Sequence, residues 1–140
     1  MIKANELRIG NYVSVPLYDV LSIKKVVSIN EEGIDYDNGL DAYHYGLETL
    51  IPIPLTPEIL KQCNYYQYYS NRVLENTEIW KNPDTYICDL RRYIIDDYPP
   101  YFLHERTGKI EIKYLHQFQN LYFALTGEEL KVNLTASVSL

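Results

Sequence analysis

Apolar and polar positions alternate with a period of two over the first third of the chain. Leu7-Arg8-Ile9 alternates, Gly10-Asn11 breaks the run, and Tyr12-Val13-Ser14-Val15 resumes it. Val20–Ile29 is long and β-branched, and its doubled Val26-Val27 predicts a bulge. Glu31-Glu32-Gly33 reads as a turn, Ile34-Asp35-Tyr36 as a strand, and Asn38-Gly39 as a tight hairpin. Tyr43-His44-Tyr45 and Leu47–Ile51 close the set. Five short strands within residues 5–51 predict a small antiparallel barrel, with Ile9, Val13, Val15, Ile23 and Ile34 facing inward.

Pro52, Pro54 and Pro57 then mark a seam, because proline cannot donate to a sheet ladder. Thr56-Pro57-Glu58 is a helix start: a capping hydroxyl, proline at the first helical position, and an acid in the first turn. That helix is expected to run to Gln62 or Cys63, with Asn64 as its stop. From residue 65 the pattern returns to β. Glu78-Ile79-Trp80 precedes an Asn82-Pro83-Asp84-Thr85 turn, and Tyr86–Leu90 follows as a strand. Phe102–His104 is expected to pair with Lys109–Ile112 across Thr107-Gly108. Leu130–Leu134 could add an edge strand. Tyr65–Tyr69 is a tyrosine cluster with no clear period.

The period changes to helical over 114–126. Leu115, Phe118, Leu121, Tyr122 and Leu125 form one apolar stripe, and Thr126-Gly127 ends the helix. Leu121 and Leu125 fall at the centre of that stripe and are expected to be buried. His116, Gln119, Asn120 and Phe123 share the opposite side. An aromatic ring among three hydrogen-bonding side chains is unlike a solvated face. These four residues are the candidate binding site. Either Phe123 is the exposed centre of a binding hot spot, or the helix is covered on both sides and the amides and the imidazole satisfy neighbouring backbone groups.

These elements predict an α+β protein: an SH3-like small barrel over 1–54, then an α+β unit over 55–140 containing the helix 114–126. Composition narrows the function classes. Fifteen tyrosines against three phenylalanines suit amphipathic strand edges or a partner-binding surface. The formal net charge of −6, with Lys24-Lys25 and Arg91-Arg92 as the only basic pairs, disfavours a nucleic-acid partner. No run approaches a membrane span. No apolar signal segment follows Met1-Ile2-Lys3, so a cytoplasmic location and reduced thiols are expected. On that expectation the Asn133-Leu134-Thr135 sequon carries no meaning.

Other candidate chemistry has a plainer reading in each case. Asp35-x-Asp37-x-Gly39 lacks the spacing of a calcium loop and reads as a hairpin. His44, His104 and His116 show none of the local spacings of a zinc site, so no metal or other cofactor is expected. Cys63 falls at a helix end, where a thiol is not activated, and Cys88 alternates inward within a strand. Asp96-Asp97 would point to opposite faces of a strand, and a solvated loop fits better.

Three phrases carry a resemblance: MIKANELRIGNYV at the start, LIPIPLTPEIL in the middle, and IKYLHQFQNLYFALTGEEL near the end. Together they resemble a family of short uncharacterised proteins of gut bacteria and of their phages and mobile elements. Members open on an ELRIGN phrase and end in a YxHQxQNLYFALTG helix. The matching positions run from His116 to Gly127, and residues 64–108 depart from the pattern. The opening also resembles the start of SH3-like barrels. The resemblance implies an origin and an architecture, and no activity. The expectation is a non-catalytic accessory protein of phage or mobile-element origin, binding a protein partner and modulating a host factor. The alternative is a small-ligand-binding protein or enzyme with a tyrosine-lined pocket between the two halves.

Overall fold

The computed structural model describes residues 2–17, 20–37, 42–96 and 101–134. The fold is α+β and divides into two compact units. The described residues up to Pro54, with Tyr114–Asn120, make the first unit. Leu55–Lys113 and Leu121–Asn133 make the second.

The first unit is a curled antiparallel sheet in the order β1 (Tyr12–Leu17), β2 (Val20–Ile29), β3 (Gly33–Asp37), β4 (Ala42–Gly46). The bulge expected at the Val26-Val27 pair is present, since the β2–β3 register shifts between Val26 and Ser28. At the turn between β2 and β3, the Asn30 side chain accepts from the backbone N–H groups of Glu32 and Gly33. A Cβ on Gly33 would collide with the Tyr45 carbonyl, so only glycine lets the β3–β4 pair close here. Asn38-Gly39 lies outside the described residues. The core holds Val13, Val15, Val26, Ile34, Tyr36, Leu7 and Leu50.

Four strands form where a closed five-strand barrel was expected, and the result is a half-barrel. Leu47–Thr49 is a 3-10 turn, and the last expected strand is reduced to a single bridge between Ile51 and Ser14. Residues 7–9 are not strand either, as a 3-10 turn covers Ala4–Glu6. Ile9, expected inside, is 63% exposed. It sits on the turn that Gly10 makes at φ 98°, so Leu7 takes the core position instead. Ile23 is only half-buried.

The second unit opens with α1 (Pro57–Gln62), and Thr56 caps it by accepting from the Ile59 N–H at 3.2 Å. Asn64 ends it in the left-handed region at φ 65°. A five-stranded antiparallel sheet follows in the order β5 (Tyr66–Tyr68), β6 (Thr77–Asn82), β7 (Thr85–Tyr93), β8 (Phe102–His104), β9 (Glu111–Ile112). The Asn82–Thr85 turn forms as expected, with the Asn82 side chain accepting from the Asp84 N–H at 2.8 Å. Register divides this sheet into two faces. Trp80 pairs with Leu90 and Leu90 with His104, and all three are buried. Tyr68 pairs with Ile79, Ile79 with Arg91 and Arg91 with Leu103, so these side chains share the opposite face. The expected edge strand over Leu130–Leu134 is absent. Leu130 is buried, and the Asn133 N–H donates to the Gln62 carbonyl.

The second α-helix, α2 (Leu115–Thr126), contributes to both units. It stops at Gly127, φ 74°, whose N–H returns to the Phe123 carbonyl at 2.8 Å. Its buried side chains are Leu115, His116, Phe118, Gln119 and Tyr122. The stripe expected from hydropathy is therefore rotated. Leu121 is half-buried and Leu125 is 37% exposed, while two polar residues are fully inside. Polar groups that satisfy buried backbone can occupy an interior face as well as leucine does.

Candidate functional site

Gln119 and Asn120 bind the N-terminal segment of their own unit. The Tyr12 N–H donates to Gln119 Oε1 at 2.9 Å, and Gln119 Nε2 donates to the Gly10 carbonyl at 3.1 Å. Asn120 Nδ2 donates to the Glu6 carbonyl at 2.8 Å. Its Oδ1 accepts from the Asn11 amide at 2.8 Å and from the Arg8 guanidinium at 3.0 Å. Asn11 itself is fully buried, and its Oδ1 accepts from the Arg8 N–H. The opening phrase Glu6–Asn11 and the helix motif are thus two halves of one hydrogen-bonded clamp. Chain residues that sit at opposite ends of the sequence meet there, and the amides are engaged within the fold.

His116, next to this clamp, is 1% exposed. Its ring stacks on Tyr114 at 5.9 Å, and neither ring nitrogen has a hydrogen-bond partner among the described residues. Burial holds its pKa below the usual histidine value, with the Glu6 carboxylate pulling the other way. Phe123 lies in the part of α2 assigned to the second unit and is 39% exposed. The other candidates are structural. Cys63 and Cys88 are buried, and burial pushes both thiols up to about 12, so neither is ionised as a nucleophile. His104 Nε2 donates to the Ile87 carbonyl at 2.7 Å. Asp35 lies between Ser28 and His44 and bonds both, an order in which the imidazole does not reach the hydroxyl. Asp96 is exposed, and Asp97 lies outside the described residues. No group of three or more His, Cys, Asp or Glu that could hold a metal occurs among the described residues. No helix among them is long and apolar enough to cross a membrane.

A second constellation, absent from the sequence reading, stands on the Ile79–Arg91 face of the second sheet. A cavity of about 320 Å³ is lined there by Tyr68, Ile79 and Tyr93, by Val73 and Leu74 of the segment after β5, and by five charged side chains. The charges are Arg72, Lys81, Arg91, Asp89 and Glu105. Strand alternation places Asp89, Arg91 and Tyr93 on one side of β7. A register shift at Lys81 re-aims β6 beside them.

Most of these charges are matched. Arg91 forms an ion pair with Glu105, 2.6 Å from Nε to Oε2, and donates to the Tyr93 hydroxyl at 2.9 Å. The Lys81 ammonium lies 4.1 Å from the Tyr68 ring centroid, within cation–π range. Asp89 has no such pairing. It is 7% exposed, and its Oδ1 has no hydrogen-bond partner among the described residues. Burial pushes its carboxyl above the usual carboxylate range, and Lys81 offsets part of that. The signal was present in the sequence: an acid and a base alternate with Cys88 and Leu90 in one strand, so the strand has a charged face as well as an apolar one.

No protein-family model matches the chain, and no curated protein or solved structure matches it.

Proposed function

We propose that this chain is a non-catalytic ligand-binding protein that takes a small molecule in the cavity of its second sheet. The observation that carries this reading is the cavity itself, where the apolar Tyr68, Val73, Leu74 and Ile79 meet the charged groups of Lys81, Arg91 and Glu105. A volume of about 320 Å³ lies within the range of small-molecule sites, and a mostly apolar wall with a few converging polar groups is their usual make-up. The buried, protonated thiols and the internally bonded His104 support a binding role over a catalytic one. A fragment screen by ligand-observed NMR tests the reading. Fragments should bind the wild type and be lost from a Thr77→Phe variant, in which a larger side chain replaces Thr77 on the cavity wall. Equal binding to both proteins, or no binding at all, contradicts it.

A second reading places a protein partner on the end of α2, and the exposure of Phe123 and Leu125 favours it. Phe123→Ala would then leave folding intact and weaken partner binding by about 2 kcal/mol or more. A loss of stability from the same change contradicts this reading. Under either reading the half-barrel is of the SH3-like kind and the protein is a cytoplasmic accessory of a phage or mobile element, as the resemblance implies. The acidic balance of −6 argues against nucleic acid as partner.

A further inference from the structure

A second cavity, of about 220 Å³, lies elsewhere in the second unit, at the C-terminal end of α2. Tyr122 and Asn82 form its buried part, at 7% and 8% exposure. Each has a polar atom to spare. The Tyr122 hydroxyl makes no hydrogen bond among the described residues, and its oxygen is not sealed in packing, so it opens onto the cavity. Burial raises the pKa of this phenol. The Glu128 and Asp84 carboxylates, both on the cavity wall, raise it further, which places the hydroxyl end toward them. Asn82 spends its Oδ1 on the Asp84 N–H, while its Nδ2 has no partner among the described residues. Nearly buried groups with unused hydrogen-bonding atoms mark a place for a polar occupant. The wall sets the sign of its charge. Asp84, Glu128 and Glu129 stand against a single cation, Lys131, and neither Asp84 nor Glu128 forms an ion pair among the described residues. The end of α2 adds to this sign, because its last turn holds no basic residue and the last carbonyls of a helix carry partial negative charge. No three of these acids are placed to hold a metal ion. A larger cation with directed donors suits them better, and an ammonium group brings three N–H donors and no acceptor.

We propose that this second cavity binds a small aliphatic ammonium compound. One N–H is donated to the Tyr122 hydroxyl oxygen, and the others to the carboxylates of Asp84 and Glu128. The exposed carboxylates attract the charge, and their pull weakens as salt rises. The Tyr122 hydroxyl supplies the selection, since a cation without an N–H leaves it unmet. The site is separate from the cavity on the Ile79–Arg91 face and does not depend on that cavity having a ligand.

Matched probes test this with the full chain, by ligand-observed NMR at neutral pH and low salt. Butylamine and 1,4-diaminobutane carry ammonium groups. Tetramethylammonium carries the charge without an N–H. At least one amine is expected to bind in the millimolar range or tighter, the scale open to a ligand of few heavy atoms. It should bind about tenfold or more tighter than tetramethylammonium. Tyr122→Phe removes only the hydroxyl and should weaken that amine about tenfold. The same variant should keep or raise the urea midpoint, because the hydroxyl has no partner in the free protein. Glu128→Gln, at an exposed position, should also weaken the amine and reduce its dependence on salt. Four results overturn the proposal: tetramethylammonium binding as tightly as the amines, amine affinity unchanged in Tyr122→Phe, displacement of the amine by calcium at equal concentration, or no amine binding at millimolar concentration.

Discussion

Gln119 holds the backbone on both sides of Asn11, accepting from the Tyr12 N–H at 2.9 Å and donating to the Gly10 carbonyl at 3.1 Å, across 107 positions of the chain. The side chain is 1% exposed, so removing it leaves two part-buried backbone groups without partners. Gln119→Ala should cost about 2–6 kcal/mol in urea unfolding, from roughly 1–3 kcal/mol for each of the two orphaned groups. Gln119→Glu keeps the acceptor for Tyr12 and loses the donor to Gly10, so it should also destabilise. Midpoints unchanged in both variants would mean the clamp contributes nothing.

The rotated face of α2 gives a paired expectation. Phe118 is fully buried, and Phe118→Ala should cost about 3–5 kcal/mol. Leu125 is 37% exposed, and Leu125→Ala should stay within about 1 kcal/mol of wild type. Equal losses from the two would restore the leucine stripe as the packed face.

His116 makes stability depend on pH. Its folded pKa lies below the usual histidine value of 6.5, so the unfolded chain binds its proton more readily than the native one. The contribution is fully present above pH 6.5 and is lost as pH falls through 6.5 toward the depressed native value. Glu6, the charged group acting on the ring, reduces the effect without reversing it. Urea unfolding of wild type and His116→Phe between pH 8 and pH 5 isolates it. The stability difference should shift in favour of the phenylalanine variant as pH falls, and a constant difference would refute the assignment.

Asp89 acts with the opposite sign. Its folded pKa is raised above the usual value of 3.8, so stability falls as pH rises from 3.8 through the raised value, and the penalty is complete once pH has passed it. Asp89→Asn should therefore gain stability relative to wild type as pH rises from 3 to 7, because the neutral amide carries no charge to desolvate. Near pH 3, where the carboxyl is protonated in both states, the gain should vanish. A destabilised variant at pH 7 would show that the carboxylate is already well paired in the free protein.

Much of the local structure was legible because its causes are local. Thr56 caps the helix that Pro57 starts, Val26-Val27 bulges, Asn82 turns the hairpin, and Gly127 stops α2 in the left-handed region. The errors sit where tertiary context decides. Ile9 alternates as a strand residue should, but the turn at Gly10 leaves it outside. Leu47–Ile51 has the composition of a strand, yet only Ile51 finds a bridge partner. Leu125 looks like core by hydropathy, and its place is taken by amides whose partners lie more than 100 residues away. Gln119 and Asn120 stood out in the sequence as unlike a solvated face, but what they bind is invisible without the fold. Asp89 was hidden for the converse reason: a charged residue in a strand reads as solvated until the segment after β5 is seen to line a cavity over it.

Backbone amide shifts recorded on titrating the uniformly 15N-labelled protein with fragments from the screen test the proposed binding site most directly. The largest changes should fall on Ile79, Lys81, Asp89, Arg91 and Tyr93, with α2 unmoved. Changes centred on Phe123 and Leu125, or none at millimolar probe, would contradict a ligand site on the second sheet.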